Sequence, residues 1–474
     1  MRAGPAGAAK DAAMDTAITR ANDDQIAAGK SGLLLVADNR DALAVRVLAA
    51  RSATATLDLM YYILRNDSSG GLLLKEIVAA ADRGVKVRLL IDDINPQSSD
   101  ETYLALNSHD NIQLRLFNPA GMRNGSIFRW LELVSRAFAM TRRMHAKAFI
   151  ADRRIAIVGG RNIGDEYFDQ AQTNFRDLDM LMLGRAVDDA MAIFERYWGC
   201  DDARPVHLLH PKFKRRSARA LRAAERDAGE VVGAFETIDE FVAARGGLHW
   251  TQGTRVLADP PEKVRGRGFR SWLMRELMPL IRSAEHRLEI VSPYFIPGRK
   301  GSAILAGLER RGVSVTVLTN SLAATDVAAV HGAYANYRKR LLRAGVALYE
   351  FQPSGRPKRI SVFGSKGASL HTKAFTVDER LGFIGSFNFD PRSVALNAEM
   401  GVVFEDPDLV AALLAHFEAE RDPDISYRLT LDGSRLRWNR AKGEKKLRYG
   451  EPKASIGRRL LAFIVRWLPI ESQL

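Results

Sequence analysis

Histidine and lysine occur together twice in this sequence, two positions apart each time: His145 with Lys147, and His371 with Lys373. An imidazole can act as a nucleophile or as a general acid, and a lysine ammonium neutralises anionic oxygens. On an extended strand, residues two positions apart point to the same face. Each pair is therefore expected to present both side chains to one anionic substrate group such as a phosphodiester.

The two pairs belong to a longer repeat. Each lysine is followed by an apolar run, an aspartate (Asp152 or Asp378), a second apolar run and an asparagine (Asn162 or Asn388). Corresponding residues are 226 positions apart throughout (371 − 145, 378 − 152, 388 − 162). One copy alone would fit an ordinary strand–turn–strand, whereas two copies in one register indicate a duplicated unit.

The duplicated H-x-K-x4-D-x6-G-(G/S)-x-N pattern resembles the phospholipase D superfamily. Shorter stretches, including Leu59–Leu64, Gly159–Tyr167 and Gly385–Arg392, are similar to the bacterial cardiolipin synthases that lack transmembrane helices, and the similarity covers roughly residues 32–474. The resemblance implies a covalent phosphohistidine intermediate and no cofactor or metal. It also implies that His145 is the nucleophile and His371 the acid and base, although near-symmetry leaves the reverse assignment open.

Further site residues follow from the repeat. Besides the two lysines, the residues expected to bind the substrate phosphate lie near the end of each copy: Gly160, Asn162, Ser386 and Asn388. Asp152 and Asp378 belong to the catalytic motif, but we expect them to brace the loop and not to touch substrate.

Each imidazole needs an acceptor on its second nitrogen to fix its tautomer. The resemblance implies an acidic residue in the strand after each motif, and Glu399 fits in the second copy. The first copy offers Asp177 and Asp179. Aligning the following strands (Leu178–Leu183 with Met400–Phe404) pairs Asp177 with Glu399, so we favour Asp177 and keep Asp179 as the alternative.

Strand–helix–strand patterns also repeat around the motifs, with helix-ending glycines at Gly84 and Gly312, which are 228 positions apart. We predict two tandem pseudo-symmetric α/β domains of the phospholipase D type, each a mixed, mostly parallel sheet flanked by helices, with the active site at their interface. The predicted organisation is a flexible arm (1–32), a first domain (33–210), a basic linker (211–240), a second domain (241–425) and a C-terminal extension with an amphipathic helix (426–474).

Composition restricts the partners. The chain has 474 residues and a formal charge of +14, which favours a polyanionic partner, either an anionic membrane surface or nucleic acid. A single cysteine excludes an intramolecular disulfide, and the nine histidines show no metal-binding spacing. No stretch approaches the ~20 uncharged apolar residues that cross a bilayer, so membrane contact is expected to be peripheral.

Two apolar segments leave alternatives open. Ile127–Met140 has a broad apolar face that fits a packed core or a membrane contact. Arg458–Leu468 reads as an amphipathic helix, either packed on the body or lying among lipid headgroups. The basic stretches Pro211–Arg226 and Lys263–Arg270 fit a connecting helix and a surface patch.

Together, the residues and the resemblance predict a phosphatidyl transferase that makes cardiolipin from phosphatidylglycerol. It is expected to act peripherally at the bacterial inner membrane, on the cytoplasmic side, without a nucleic-acid partner. The alternatives are a phospholipase D that yields phosphatidic acid and a metal-independent nuclease. A non-enzymatic binding module is a third possibility that two complete motifs disfavour. The identity of the second lipid and the oligomeric state stay open.

Overall fold

The computed structural model describes residues 22–94, 100–119, 142–209, 235–353, 368–440, 450–468 and 471–473. The strands in these ranges are β1 (Ser31–Val36), β2 (Thr56–Tyr61), β3 (Lys86–Asp92), β4 (Ile112–Phe117), β5 (Ala148–Ala151), β6 (Ile155–Gly159), β7 (Phe175–Arg176), β8 (Asp179–Gly184), β9 (Ala203–Pro205), β10 (His249–Thr251), β11 (Thr254–Ala258), β12 (Arg287–Val291), β13 (Ser314–Asn320), β14 (Ala347–Phe351), β15 (Ser369–Leu370), β16 (Ala374–Val377), β17 (Leu381–Gly385), β18 (Met400–Glu405), β19 (Ser426–Asp432) and β20 (Arg435–Asn439). The α-helices are α1 (Asp23–Ala27), α2 (Asn39–Ser52), α3 (Ser68–Asp82), α4 (Asp100–Leu106), α5 (Arg185–Trp198), α6 (Val206–Leu209), α7 (Ile238–Ala244), α8 (Leu273–Arg282), α9 (Gly298–Arg310), α10 (Ala328–Tyr334), α11 (Arg338–Arg343), α12 (Pro391–Ala395), α13 (Pro407–Glu420) and α14 (Ile456–Val465).

Most of the strands form two nine-stranded sheets with matching internal order. The first is β10-β1-β8-β6-β5-β2-β3-β4-β9, and the second is β11-β18-β17-β16-β12-β13-β14-β19-β20. The motif strands β5 and β6 correspond to β16 and β17, and each pair lies at the middle of its sheet. The predicted pair of α/β halves with mixed sheets is therefore confirmed.

The prediction that parallel pairing predominates is wrong. Among the described strands, only two neighbouring pairs in each sheet are parallel, β2-β3 and β3-β4 in the first and β12-β13 and β13-β14 in the second. A parallel pair needs a long crossover, which helices such as α3 and α9 supply. The motif strands return through short turns instead, and a short turn can join only antiparallel neighbours.

Strand pairing departs from the predicted domain boundaries at two places. β10, from the segment assigned to the second domain, pairs with β1 of the first sheet. β19 and β20, from the predicted C-terminal extension, widen the second sheet beside β14. Much of the predicted arm and linker, together with Ile127–Met140 and Pro211–Arg226, lies outside the described residues.

Each half has an apolar core of its own, and a further apolar core is shared by both halves. A single buried cluster contains Met60 and Ile150 from the first sheet together with Val402 and Phe404 from the second. Helix α5 contributes Phe194 to this cluster. Because this core is continuous across the two halves, the ends of their motif strands are held in a fixed relation.

The motif aspartates brace the turn between the two motif strands in each half. Asp152 has φ 50° and Asp378 has φ 51°, a left-handed conformation that aspartate tolerates better than most residues. The Asp152 carboxylate accepts hydrogen bonds from the amides of Thr54, Ala55 and Thr56 (2.7–2.8 Å) at the start of β2. The Asp378 carboxylate similarly accepts from the three amides of residues 285–287 at the start of β12 (2.8–2.9 Å).

Removing these carboxylates should destabilise the two halves unequally. Asp152 is only 3% exposed and its hydrogen bonds to the three amides are partly buried, so Asp152→Ala leaves partly buried amides without this acceptor, and we expect a loss of about 2–3 kcal/mol in unfolding free energy. Asp378→Ala leaves amides that water can reach, and we expect about 1–2 kcal/mol. Both changes place alanine at a positive φ, so the difference between the two losses reports the greater burial of the hydrogen bonds at Asp152. Urea unfolding, with Asp110→Ala as the exposed control, measures it; equal losses would contradict the bracing role at β2.

Candidate active site

The two His-Lys pairs lie immediately before the strands β5 and β16, in extended segments that approach each other. His145 and Lys147 precede β5, and His371 and Lys373 precede β16. All four side chains are buried. The site is therefore enclosed by both sheets, and neither half forms it alone.

Backbone pairing crosses between the halves at this point. The His145 amide donates to the Ala398 carbonyl (2.8 Å), and the Ala398 amide donates to the Arg143 carbonyl (2.8 Å). In the opposite direction, β15 pairs with β7, and the His371 amide donates to the Arg176 carbonyl (2.7 Å). Each motif histidine is thus placed next to the acidic residue that follows the motif of the other half.

Each motif histidine is oriented by the carboxylate that the opposite half supplies. His145 Nδ1 lies 2.8 Å from Glu399 Oε2, and His371 Nδ1 lies 2.5 Å from Asp177 Oδ2. An ionised carboxylate can only accept, so each Nδ1 carries the proton and each neutral ring keeps its lone pair on Nε2. The sequence predicted these two acids without saying which histidine each one serves.

The alternative acid, Asp179, has a different environment. Its carboxylate pairs with the buried guanidinium groups of Arg46 (2.9 Å) and Arg161 (3.2 Å). Of the two candidates in the first half, the structure therefore places Asp177 at a histidine and Asp179 in an arginine cluster.

Burial and charge determine the protonation states. Burial lowers the pKa of His145 to about 4, although Glu399 opposes the shift, and burial with the nearby Lys373 also lowers the pKa of His371. Burial alone would raise the pKa of the acids, yet His145 holds the pKa of Glu399 at about 2 and Lys373 lowers that of Asp177. At neutral pH both imidazoles are neutral and both carboxylates are ionised.

The lysines lie beside the histidines. Lys147 Nζ donates to the His145 carbonyl (2.6 Å), and Lys373 Nζ donates to the His371 carbonyl and lies 3.9 Å from Asp177 Oδ2. Burial lowers the pKa of Lys147 well below its ordinary value and that of Lys373 to about 8. An anionic group bound between them would favour both ammonium forms, so the site suits a phosphodiester.

The two motif asparagines differ in their contacts. Asn162 is engaged locally, because its Nδ2 donates to the Tyr167 hydroxyl (2.8 Å) and its Oδ1 accepts from the Ile63 amide (3.2 Å). Asn388 is buried, and its Oδ1 has no hydrogen-bond partner within the described part of the chain. Of the two, Asn388 therefore has an acceptor left for a donor group of a ligand, such as a hydroxyl.

Gly160 and Ser386 occupy equivalent positions, and both contact the orienting carboxylates. A Cβ at residue 160 would lie 2.2 Å from Asp177 Oδ1, so only glycine leaves room for that carboxylate. The Ser386 hydroxyl instead donates to Glu399 Oε2 (2.5 Å), and the Ser393 hydroxyl donates to Oε1 of the same residue (2.8 Å). In this structure both positions act on the acids, whereas the sequence suggested contact with substrate.

Aromatic side chains around the histidines were missed by the sequence reasoning. The Tyr62 ring meets His145 edge-on (centroids 5.0 Å apart), while Phe175 stacks on His371 (4.9 Å) and Tyr167 meets it edge-on (5.3 Å). Tyr62 and Tyr167 lie in or beside stretches that carry the family resemblance, but no spacing rule connects them with the distant histidines.

A second missed pair anchors the segments that enter the motifs. The Met144 amide donates to Asp92 Oδ2 (2.9 Å), and the Leu370 amide donates to Asn320 Oδ1 (3.1 Å). Asp92 and Asn320 end β3 and β13 and are 228 positions apart, close to the repeat spacing. Extending the repeat to these strand ends could have found them.

Two α/β halves that contribute equivalent His-Lys pairs to one shared site define a protein of the phospholipase D type. The family described as "Cardiolipin synthase, PLD-like domain" matches residues 48–198 and 277–421, so the chain belongs to this family. It is 40% identical to cardiolipin synthase C of Escherichia coli over 94% of this chain and 96% of that protein. It is also 25% identical to a cardiolipin synthase of Halalkalibacterium halodurans over 81% of this chain and 64% of the relative. A crystal structure of phosphatidylserine synthase from Haemophilus influenzae has the same fold, with a TM-score of 0.60, 14% identity and coverage of 87% of this chain and 92% of that one.

Replacing an orienting carboxylate by its amide should inactivate the site without unfolding the protein. Glu399→Gln and Asp177→Asn each allow the wrong tautomer of a histidine in the opposite half, and we expect kcat to fall by roughly 10³–10⁴-fold. Asp58→Asn, a buried carboxylate paired with Arg88 outside the site, is the matched control and should retain activity. Steady-state rates with thermal unfolding curves test this; a loss below about tenfold would refute the orienting role.

Burial should lower the pH at which His145 titrates in the folded protein. We expect His145 to titrate near pH 4 in nitrogen-15 NMR spectra, and Glu399→Gln to lower its pKa further, because the carboxylate that favours the imidazolium is gone. An unfolded histidine binds its proton near pH 6.5, so unfolding free energy should decrease as pH falls from 6.5 towards 4. A native titration near 6.5 would show that the imidazole is solvated.

Proposed function

We propose that this protein is a phosphatidyl transferase that makes cardiolipin from phosphatidylglycerol through a covalent histidine intermediate. The observation that carries the proposal is the pair of buried, neutral histidines, His145 and His371, each oriented by a carboxylate of the other half. Two such bases flanked by two lysines suit a two-step displacement at phosphorus. The similarity to cardiolipin synthase C along nearly the whole chain supports a lipid substrate over a nucleic acid.

In the first step, His145 Nε2 attacks the phosphorus of one phosphatidylglycerol. The bond between phosphorus and the headgroup glycerol oxygen breaks as the phosphorus–nitrogen bond forms. A protonated His371 gives its proton from Nε2 to the leaving oxygen, and glycerol departs. Because the pKa of His371 is lowered in the empty site, the negative phosphodiester is needed to favour its protonated form.

In the second step, the headgroup hydroxyl of another phosphatidylglycerol attacks the phosphohistidine. His371 Nε2, now neutral, takes the hydroxyl proton, and the phosphorus–nitrogen bond breaks to release cardiolipin and free His145. The proton that left with glycerol is thereby restored to His371. Each cycle converts two phosphatidylglycerol molecules into one cardiolipin and one glycerol.

Charge on the transferring phosphoryl group is balanced by Lys147 and Lys373. Both ammonium groups are buried beside the histidines, where an interaction with the non-bridging oxygens is stronger than in water. The unpartnered Asn388 Oδ1 can accept a hydrogen bond from a headgroup hydroxyl of the substrate. We assign Asp152 and Asp378 to bracing the motif turns, on the strength of their hydrogen bonds to backbone amides.

Transfer in preference to hydrolysis requires that the intermediate meets a lipid alcohol before water. The enclosed position of both histidines supports this, because a buried intermediate is shielded from bulk solvent. We propose peripheral action at the bacterial inner membrane, on its cytoplasmic side, with the positive net charge favouring anionic lipid. No helix in the described ranges has the length and apolar composition to cross a bilayer.

The reaction is tested with phosphatidylglycerol vesicles in the presence of a chelator. We expect cardiolipin and glycerol in equal amounts by mass spectrometry, and a loss of at least about 10⁴-fold for His145→Ala and for His371→Ala. His207→Ala, at an exposed histidine, is the matched control. Phosphatidic acid as the sole product would replace the transferase proposal by a phospholipase, and cleavage of plasmid DNA alone would favour a nuclease.

The separate roles of the histidines are tested with a substrate whose leaving group is weakly basic, such as phosphatidyl-p-nitrophenol. A leaving group of this kind needs no acid, so His371→Ala should still release nitrophenol once per enzyme and accumulate phosphatidyl-His145. His145→Ala should release none. A trapped phosphoryl group on His371 would reverse the assignment.

A further inference from the structure

Helix α14 is amphipathic and uses one side to pack on the second half. Ala462 and Val465 are buried, and the helix lies against α10. A Cβ at Gly332 of α10 would lie 2.6 Å from the Ala462 carbonyl oxygen, so glycine permits the close approach. The sequence left open whether this helix packs on the body or contacts lipid. In the structure, one side of the helix packs against α10.

The other side of this segment is apolar and exposed. Of the ten large hydrophobic side chains that the described residues expose, six lie here: Ile456, Leu460, Phe463, Ile464, Trp467 and Leu468. The spacing of the first five, in steps of three, four or one, places them along one helical face. Soluble proteins rarely leave so continuous an apolar patch uncovered unless it binds something.

We propose that this exposed face of α14 and the turn after it inserts into an anionic lipid bilayer and docks the active site on its substrate surface. The inference rests on the proposed function, which requires two lipid molecules to reach one site. Arg459 and Arg466 are exposed beside the apolar face, a combination that fits the boundary between acyl chains and anionic headgroups. Trp467 is 75% exposed and is of the residue type favoured at that boundary.

Both ends of the segment are tied to parts of the chain near the site. Arg458, at the start of α14, donates from Nε to the Leu322 carbonyl (2.9 Å) and from Nη2 to the Thr325 carbonyl. The next residue, Asp326, accepts from the Tyr294 hydroxyl (2.6 Å), and its charge acts on His371 and Lys373.

At the other end, the Gln473 carbonyl accepts from Arg392 Nη1 (3.1 Å). Arg392 belongs to helix α12, between Asn388 of the second motif and Glu399. A bilayer that binds α14 would therefore lie close to the segments that line the site.

A bilayer suits this surface better than a second copy of the chain. Each copy carries a formal charge of +14, so self-association would bring like charges together, whereas an anionic bilayer is attracted by them. The apolar face also combines aliphatic and aromatic side chains with flanking arginines, as interfacial helices do.

The test compares two double variants of identical composition. Leu460→Ser with Phe463→Ser removes two side chains that are each 58% exposed on α14. Leu208→Ser with Phe269→Ser removes a leucine and a phenylalanine that are 64% and 59% exposed elsewhere. Partition of each full-length protein onto phosphatidylglycerol vesicles and onto phosphatidylcholine vesicles is measured by flotation, and turnover is measured on vesicles and on short-chain phosphatidylglycerol in solution.

We expect the α14 variant to bind phosphatidylglycerol vesicles about tenfold or more weakly than the parent protein, with turnover on vesicles reduced alike and turnover on the soluble substrate retained. The control variant should match the parent, and the parent should prefer the anionic vesicles. Unchanged vesicle binding, or equal losses on both substrates, would overturn the docking role.

If the parent binds through α14 but forms no cardiolipin, the proposed function fails while the docking inference stands. If the parent forms cardiolipin but the α14 variant binds vesicles unchanged, the docking inference fails while the proposed function stands.

Discussion

The hydrogen bond between each motif histidine and a carboxylate of the opposite half is the interaction on which the site depends. Glu399 orients His145 and Asp177 orients His371, so neither half can fix the tautomer of its own histidine. The backbone pairing of each motif with the opposite half, and the apolar core shared by the sheets, hold these hydrogen bonds in place. Duplication is therefore a requirement of the chemistry here, because one half supplies a base without its orienting group.

The same burial that encloses the site also sets its charge. Water is largely removed from two imidazoles, two ammonium groups and two carboxylates, and the pKa values of both bases and both lysines fall in consequence. The two carboxylates balance the two ammonium groups, so the buried charges have partners within the site. A bound phosphodiester would add net negative charge and would raise the pKa of the neighbouring imidazoles, so substrate binding would favour protonation of a histidine.

The halves are related but not equivalent, which suits a reaction whose two histidines act in sequence. Glu399 accepts hydrogen bonds from the hydroxyl groups of Ser386 and Ser393. Asp177 instead lies beside Gly160, which has no side-chain donor. The C-terminal segment adds to the asymmetry, because α14 packs on α10 of the second half. Any surface bound by α14 is thereby connected to the motif of His371 more directly than to that of His145.

Sequence alone determined the duplicated motif, its fixed spacing of 226 residues, the His-Lys pairs and the two α/β halves, because these depend on residue type and local periodicity. It narrowed the orienting acids to Glu399 and either Asp177 or Asp179. Only the tertiary structure decided between the two aspartates and matched each acid to a histidine 194 or 254 residues away. The antiparallel majority in the sheets, the pairing of β10 with β1, and the contacts of Gly160 and Ser386 with the acids were likewise decided there. These features depend on which distant segments pack together, and a local sequence pattern does not specify long-range packing.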